Sequence, residues 1–265
     1  MEALKKLWEA SEEFFKEIEI SVSSQNSGQK GFPVKDDWEK IVAIGFFTAL
    51  NKMKAILYLT NPSNNQIYFM ESTSLARNLW EIWLTLAWLN HQDESKRDER
   101  IIQFHNDSII DQEKLNQAIV GETSAEVSED AQWVKAESQR IKENFPKKKW
   151  KMPSKFELLE DVVSRDERFK DSLSLYYNII YKDFSHYVHF TWRTISEIKL
   201  SPIEKEMIVC PHQDLGFKCL DISCGFFIFI TEISNNIFKI IPDENFEKLS
   251  KDWLRIQGET RGLPR

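Results

Sequence analysis

An arginine and a glutamate lie four residues apart at the start of a strongly apolar segment. The segment RNLWEIWLTLAWL, residues 77–89, begins with Arg77 and contains Glu81. Residues at this spacing share one face of a helix, so the two side chains can form an ion pair. Because a helix that is apolar on every side is buried, we expect Glu81 to be buried and held by Arg77. The pair is then either a polar contact inside the core or the floor of a pocket.

A second group of polar side chains occurs about a hundred residues later, where Ser185 and His189 lie one helical turn apart. Imidazole titrates near neutral pH, so His189 is a candidate general acid or base, with His186 beside it. The alternative is the solvent-exposed face of an ordinary amphipathic helix. A metal site formed by Asp183, His186 and His189 is a third alternative. Its first and last members lie ~120° apart around a helix, which strains their geometry about one ion.

A short basic run carries a single tryptophan. Its members are Lys147, Lys148, Lys149, Trp150 and Lys151. Lysines can contact phosphates, and an indole can stack on a base, so the run is a candidate contact for RNA. The alternative is a solvated connection between two helices.

The composition excludes several common classes of protein. The formal net charge is −7, so any contact with nucleic acid must be local. The 8 glycines form neither a Rossmann nor a P-loop motif, and no G-x-S-x-G or H-E-x-x-H motif occurs. The 3 cysteines, Cys210, Cys219 and Cys224, are odd in number and contain no C-x-x-C. They favour a reducing compartment and predict neither a disulfide nor a tight metal site.

The segments that carry these candidate residues are predicted to be helices. From Phe46 to Leu215 the only glycine is Gly121, and long stretches also lack proline. Asp36 with Glu39, and Ser154 with Glu157, have the spacing of capping boxes. About nine helices are expected, near residues 2–20, 36–60, 66–90, 95–119, 125–144, 155–164, 171–195, 213–240 and 244–256.

These helices predict a single all-α bundle spanning residues 1–265. It would comprise an N-terminal helix and loop (1–35), a helical core (36–240) and a C-terminal helix and tail (241–265). Residues 199–212 are the least helical part and are expected to form a short hairpin or an extended loop. The N-terminus is charged throughout, and the longest apolar run, near residues 222–231, is too short to span a membrane. We therefore expect a cytoplasmic protein with no membrane segment.

Two segments of the chain resemble a known group of proteins. SLARNLWEIWLTLAWL, followed by YYNIIYKDFSHYVHF, resembles a bacterial all-helical family of uncharacterised proteins over roughly residues 40–240. The shared pattern is an Arg-x-x-x-Glu helix and a Tyr-x-x-x-Ser-x-x-x-His helix. Its residues here are Arg77, Glu81, Tyr181, Ser185 and His189. In outline this family is similar to the HEPN superfamily, which supplies ribonucleases to toxin–antitoxin and phage-defence systems.

The resemblance implies a HEPN-like core with extra helices and a metal-independent mechanism. In such ribonucleases an arginine and a histidine activate the ribose 2′-hydroxyl and stabilise the phosphorane, often in a cleft between two protomers. Arg77 and Asn78 match the start of the superfamily's Arg-polar-x4-6-His motif. The motif histidine is absent from this helix, so His189 would supply it, and Phe190 stands where the related family often has proline.

Two functions are therefore expected as alternatives. The first is an RNA-cleaving effector of a defence or toxin system, without metal or cofactor, acting as a homodimer beside an antitoxin or partner protein. Arg77 would be the phosphate electrophile, His189 the general acid or base, and Glu81 the group that orients Arg77. The second is a non-catalytic helical module that binds a nucleotide, RNA or a partner protein. The candidate binding residues are Asn78, Tyr181, Ser185, His186, Lys147, Lys148, Lys149 and Trp150.

Overall fold

The computed structural model confirms the predicted all-α class and a number of helices near nine in the part of the chain that it describes. The described residues are 2–25, 31–63, 69–123, 128–172, 176–184, 199–203, 206–210 and 213–262. The helices are α1 Glu2–Gln25, α2 Asp37–Leu59, α3 Phe69–Leu89, α4 Glu94–Thr123, α5 Glu129–Asn144, α6 Lys147–Trp150, α7 Lys155–Arg165, α8 Gln213–Phe238 and α9 Asp243–Arg261. A 3₁₀-helix, Glu167–Ser172, and a π-helix, Tyr176–Asp183, follow α7.

Both predicted capping boxes lie at helix starts. Asp36 caps α2 by accepting a hydrogen bond from the Glu39 amide at 2.7 Å. Ser154 precedes α7, and its amide donates to the Glu157 carboxylate at 2.7 Å while its hydroxyl accepts from the Glu157 amide at 3.3 Å. These local contacts satisfy backbone donors that have no partner within the helix, which explains why sequence alone locates both starts.

The described chain divides into two compact units. Unit 1 contains Met1–Ala87 and Val162–Arg265, and unit 2 contains Trp88–Asp161. The single domain expected over residues 1–265 stays a prediction.

The core of unit 1 is rich in aromatic rings. Phe227 of α8 packs edge-on against Phe14 of α1, with the ring centroids 6.1 Å apart, and stacks on Phe46 of α2 at 6.5 Å. Trp253 of α9 donates its indole N–H to the hydroxyl of Ser11 at 3.0 Å. These contacts join the buried faces of the four helices, in keeping with the apolar stripes that their sequences predict.

By length and composition, α2 is apolar enough to cross a membrane. In the structure its residues Trp38, Val42, Ala43, Phe46, Ala49, Met53, Ile56 and Leu57 are buried in the protein. A core helix has the same length and composition as a short span, so this observation leaves the expected cytoplasmic location a prediction.

Unit 2 has a small core of its own. Ile109 and Ile110 of α4 pack with Ile141 of α5, and the partly buried Val134, Phe145 and Trp150 cover them. Arg100 lies where the chain enters and leaves the unit. Its guanidinium makes two hydrogen bonds of 3.0 Å to Asp161 and donates to the carbonyl oxygen of Trp88.

Two antiparallel strands interrupt the helices at the predicted place. β1, Lys199–Ile203, pairs with β2, Glu206–Cys210, in a register that runs from Lys199 opposite Cys210 to Ile203 opposite Glu206. This confirms the hairpin alternative for the least helical segment.

The helix expected over residues 171–195 is not a regular α-helix over the residues that the structure describes. The chain forms the 3₁₀-helix up to Ser172 and then the π-helix from Tyr176, whose wider turn closes i→i+5 hydrogen bonds. Ile180 and Phe184 are buried, as the apolar pattern predicts. Residues 185–195 lie outside the described chain.

Candidate functional site

Arg77 and Glu81 form the predicted ion pair on α3. The Arg77 Nε donates to Glu81 Oε1 at 3.1 Å. The Arg77 side chain is 21% exposed and that of Glu81 30% exposed, so the prediction that Glu81 is buried is wrong. Both carboxylate and guanidinium keep partial access to water, which lowers the cost of holding these charges.

The arrangement of α3 explains this difference. Leu79, Trp80 and Trp83 are almost fully buried and bear the contact with the core. Ile82 and Thr85 are only half-buried, although the segment looks apolar on nearly every side. The helix therefore has one face that the core does not cover completely, and the ion pair lies on it.

The π-helix places an aromatic ring against the Arg77 guanidinium. The central carbon of that guanidinium, Cζ, lies 4.9 Å from the ring centroid of Tyr181, within the range of a cation–π contact. On the same π-helix, Tyr177 stacks on Tyr181 with centroids 5.2 Å apart and 17° between the ring planes. The structure thus brings together three of the predicted site residues, Arg77, Glu81 and Tyr181.

Trp80 adds a feature that sequence analysis missed. Its indole lies 5.8 Å from the Tyr181 ring, centroid to centroid, and is fully buried. Its N–H has no hydrogen-bond partner within the described structure. The sequence gives no signal for this, because a tryptophan in an apolar helix is indistinguishable from ordinary core.

A family model matches residues 39–205, well over half of the chain, and its description is a family of unknown function, DUF5677. The chain belongs to DUF5677. The matched region contains Arg77, Glu81 and Tyr181, and it agrees with the expected membership of an uncharacterised family. No curated protein matches the chain. No solved structure matches it either.

The remaining predicted residues of this DUF5677 site have different outcomes. Asn78 is half-buried on α3, next to the ion pair in sequence. Ser185, His186 and His189 lie outside the described residues, so their proposed roles stay predictions. The alternative metal site depends on the same two histidines and on the Asp183 side chain, which is also not described.

The basic run belongs to α6 in unit 2. Trp150 is half-buried and packs against the three-isoleucine core, which gives its indole a structural role. Lys149 is exposed, while the side chains of Lys147 and Lys148 lie outside the description. Contact between this run and RNA stays a prediction.

Within the part of this DUF5677 chain that the structure describes, no cluster suited to a metal occurs. No group of three or more His, Cys, Asp or Glu side chains converges within the described residues. Cys219 and Cys224 are both buried. Burial raises the pKa of the Cys219 thiol to about 12 and also raises that of the Cys224 thiol, and a thiol with a raised pKa forms little of the nucleophilic thiolate. The Cys210 side chain is not described.

Proposed function

We propose that this DUF5677 protein is a metal-independent RNA-cleaving effector in which Arg77, Glu81 and His189 act together. The observation that supports this proposal is the partly exposed side chain of Arg77, held by Glu81 at 3.1 Å and by the Tyr181 ring. A planar guanidinium offers several N–H groups in a fixed arrangement that suits a phosphate. The outline similarity to HEPN ribonucleases supplies the reaction class and the role in defence or toxicity.

The reaction is an attack of RNA on itself. A general base removes the proton from a ribose 2′-hydroxyl, and the oxygen forms a bond to the adjacent phosphorus. The bond from phosphorus to the 5′-oxygen of the next nucleotide breaks, and that oxygen takes up a proton from a general acid. The products are a 2′,3′-cyclic phosphate and a free 5′-hydroxyl, so this step consumes no water.

Each residue has a distinct role in this scheme. Arg77 stabilises the negative charge that grows on the non-bridging oxygens of the phosphorane. Glu81 orients Arg77 and keeps its side chain ordered before RNA binds. His189 exchanges protons with the reacting oxygens, a role for which imidazole is the usual side chain. In the HEPN-like scheme a second protomer completes the cleft, so we propose a homodimer.

The test compares wild type with Arg77→Lys and His189→Ala. Purified protein is incubated with single-stranded RNA in excess EDTA, and the products are analysed for cyclic phosphate ends. We expect cleavage by wild type, a loss of at least about a hundredfold in each variant, and unchanged helical circular dichroism. His105→Ala is the matched control, because His105 is exposed on α4 and has no proposed role.

Two results would contradict the catalytic assignment. One is wild-type activity in a folded His189→Ala protein. The other is cleavage that EDTA abolishes. Expression in bacteria, with growth and total-RNA integrity as readouts, extends the same comparison to toxicity.

The second candidate function is a non-catalytic module that binds a nucleotide, RNA or a partner protein. It is favoured by the contacts of Arg77 with Glu81 and Tyr181, because these side chains hold one another in place within the protein. Binding of RNA that weakens in Arg77→Lys, without cleavage by wild type, would support this alternative. Co-purification of a stoichiometric antitoxin-like protein would support a role in partner binding.

A further inference from the structure

The Tyr181 ring lies at the centre of a cluster that connects the π-helix to α3. The Arg77 guanidinium lies over it at 4.9 Å, Tyr177 stacks on it at 5.2 Å, and Trp80 lies against it at 5.8 Å. Tyr181 and Tyr177 are half-buried, whereas Trp80 is fully buried. The cluster therefore continues from the protein core to the partly exposed Arg77 side chain.

The contacts of Arg77 with Glu81 and with the Tyr181 ring restrain different motions of its guanidinium. A hydrogen bond from Nε to Glu81 fixes one edge of the planar group, but rotation about the donor–acceptor line can still tilt the plane. A ring against the face of the group restrains that tilt. Because Tyr181 is itself packed between Tyr177 and Trp80, its ring is a rigid support for the cation.

We propose that Tyr181 is a positioning residue, whose ring fixes the plane of the Arg77 guanidinium in the orientation that meets the RNA phosphate. The contact that carries this role is that of the ring face with the guanidinium. The catalytic part of this inference rests on the proposed function. The positioning of Arg77 is a property of the protein without RNA and can be measured separately.

The first experiment measures the Arg77 side chain directly. In protein labelled with ¹⁵N-arginine, the Nε–H signal of Arg77 is identified by its absence from the Arg77→Lys spectrum. We expect a sharp signal shifted upfield by the ring in wild type and in Tyr181→Phe. In Tyr181→Leu we expect the upfield shift to disappear and the signal to broaden by exchange with water. Tyr58→Leu is the control, because Tyr58 is exposed on α2.

The second experiment measures RNA cleavage by the same proteins. We expect Tyr181→Leu to lower kcat by about tenfold with little change in KM. The reason is that a fixed Arg77 guanidinium stabilises the transition state more than it stabilises bound RNA. Tyr181→Phe should retain wild-type kcat. If Tyr181→Leu does not fold, Tyr181→Met replaces it, because methionine fills more of the space beside Trp80.

The outcomes separate this inference from the proposed function. An Arg77 signal that is unchanged in the folded Tyr181→Leu or Tyr181→Met protein overturns the positioning role. Loss of the upfield shift in Tyr181→Phe overturns the role of the ring. If the spectra follow the expectation but wild type cleaves no RNA, the proposed function fails and the positioning of Arg77 by Tyr181 stands.

Discussion

Glu113 of α4 is the carboxylate whose removal tests the packing of unit 2 most sharply. It is 8% exposed and accepts hydrogen bonds from Ser138 at 2.6 Å, Lys142 at 2.5 Å and Gln117 at 2.9 Å. Ser138 and Lys142 belong to α5, so this carboxylate connects the two long helices of the unit. We expect Glu113→Gln to destabilise the contact between them.

The magnitude follows from the contacts. Glutamine keeps the size of the side chain but removes its charge, so charge-assisted hydrogen bonds become neutral ones, at a cost of about 1–2 kcal/mol. The larger cost of a stranded buried charge does not apply, because the Lys142 side chain is 43% exposed and can be rehydrated.

The pH dependence has a definite sign. The hydrogen bond from Lys142, followed by that from Ser138, lowers the pKa of Glu113 and outweighs the opposing effect of burial. A carboxylate whose pKa is lower in the folded protein than in the unfolded chain stabilises the fold at pH values above its unfolded pKa, which is about 4.3 for glutamate. This stabilisation disappears as the pH falls through the pKa of the folded protein. The difference between wild type and Glu113→Gln should therefore be complete at neutral pH and shrink below about pH 4.

The assay is urea denaturation across this pH range, together with hydrogen exchange of the α4 and α5 amides. Glu143→Gln is the matched control, since Glu143 is exposed and its hydrogen bond with Gln139 stays within α5. Two results would contradict this prediction. One is a Glu113→Gln protein that is as stable as wild type at neutral pH. The other is a difference in unfolding free energy between the two proteins that grows as the pH is lowered.

Three further predictions concern other contacts. Arg100→Met should lower the free energy of unfolding of unit 2 by about 1.5–3 kcal/mol in urea denaturation, because it breaks a bidentate, largely buried ion pair. Arg140→Met, which breaks an exposed pair, should leave the urea midpoint unchanged. Equal midpoints for the two variants would contradict this prediction. Glu81→Gln should lower the free energy of unfolding by only about 0.5 kcal/mol in the same assay, because both side chains of the ion pair are partly exposed. A loss above about 3 kcal/mol would show that the ion pair behaves as a buried one. Cys219 and Cys224 should resist alkylation in native protein at mildly alkaline pH and react after denaturation, as followed by mass spectrometry; rapid native labelling of either would contradict their raised pKa values.

The features that arise from contacts between near neighbours in the chain can be predicted from the amino-acid sequence. The starts of α2 and α7 follow from Asp36 and Ser154, because a capping side chain bonds to amides only a few residues away. The Arg77–Glu81 pair follows from the i,i+4 spacing on a helix. The all-α class follows from scarce breakers and apolar stripes with helical periodicity.

How far each helix face is covered, and which residues lie against it, depends instead on the packing of the whole protein. The exposure of Glu81 depends on which side of α3 the core leaves open, and an apolar sequence does not specify this side. The Tyr181 ring meets Arg77 because a distant segment forms a π-helix and packs on α3. Glu113 of α4 is likewise held by Ser138 and Lys142 of α5, and the distance between these two helices is set by packing. Local hydrogen bonding and periodicity can be read along the chain, whereas contacts between remote segments depend on how all the buried surfaces fit together.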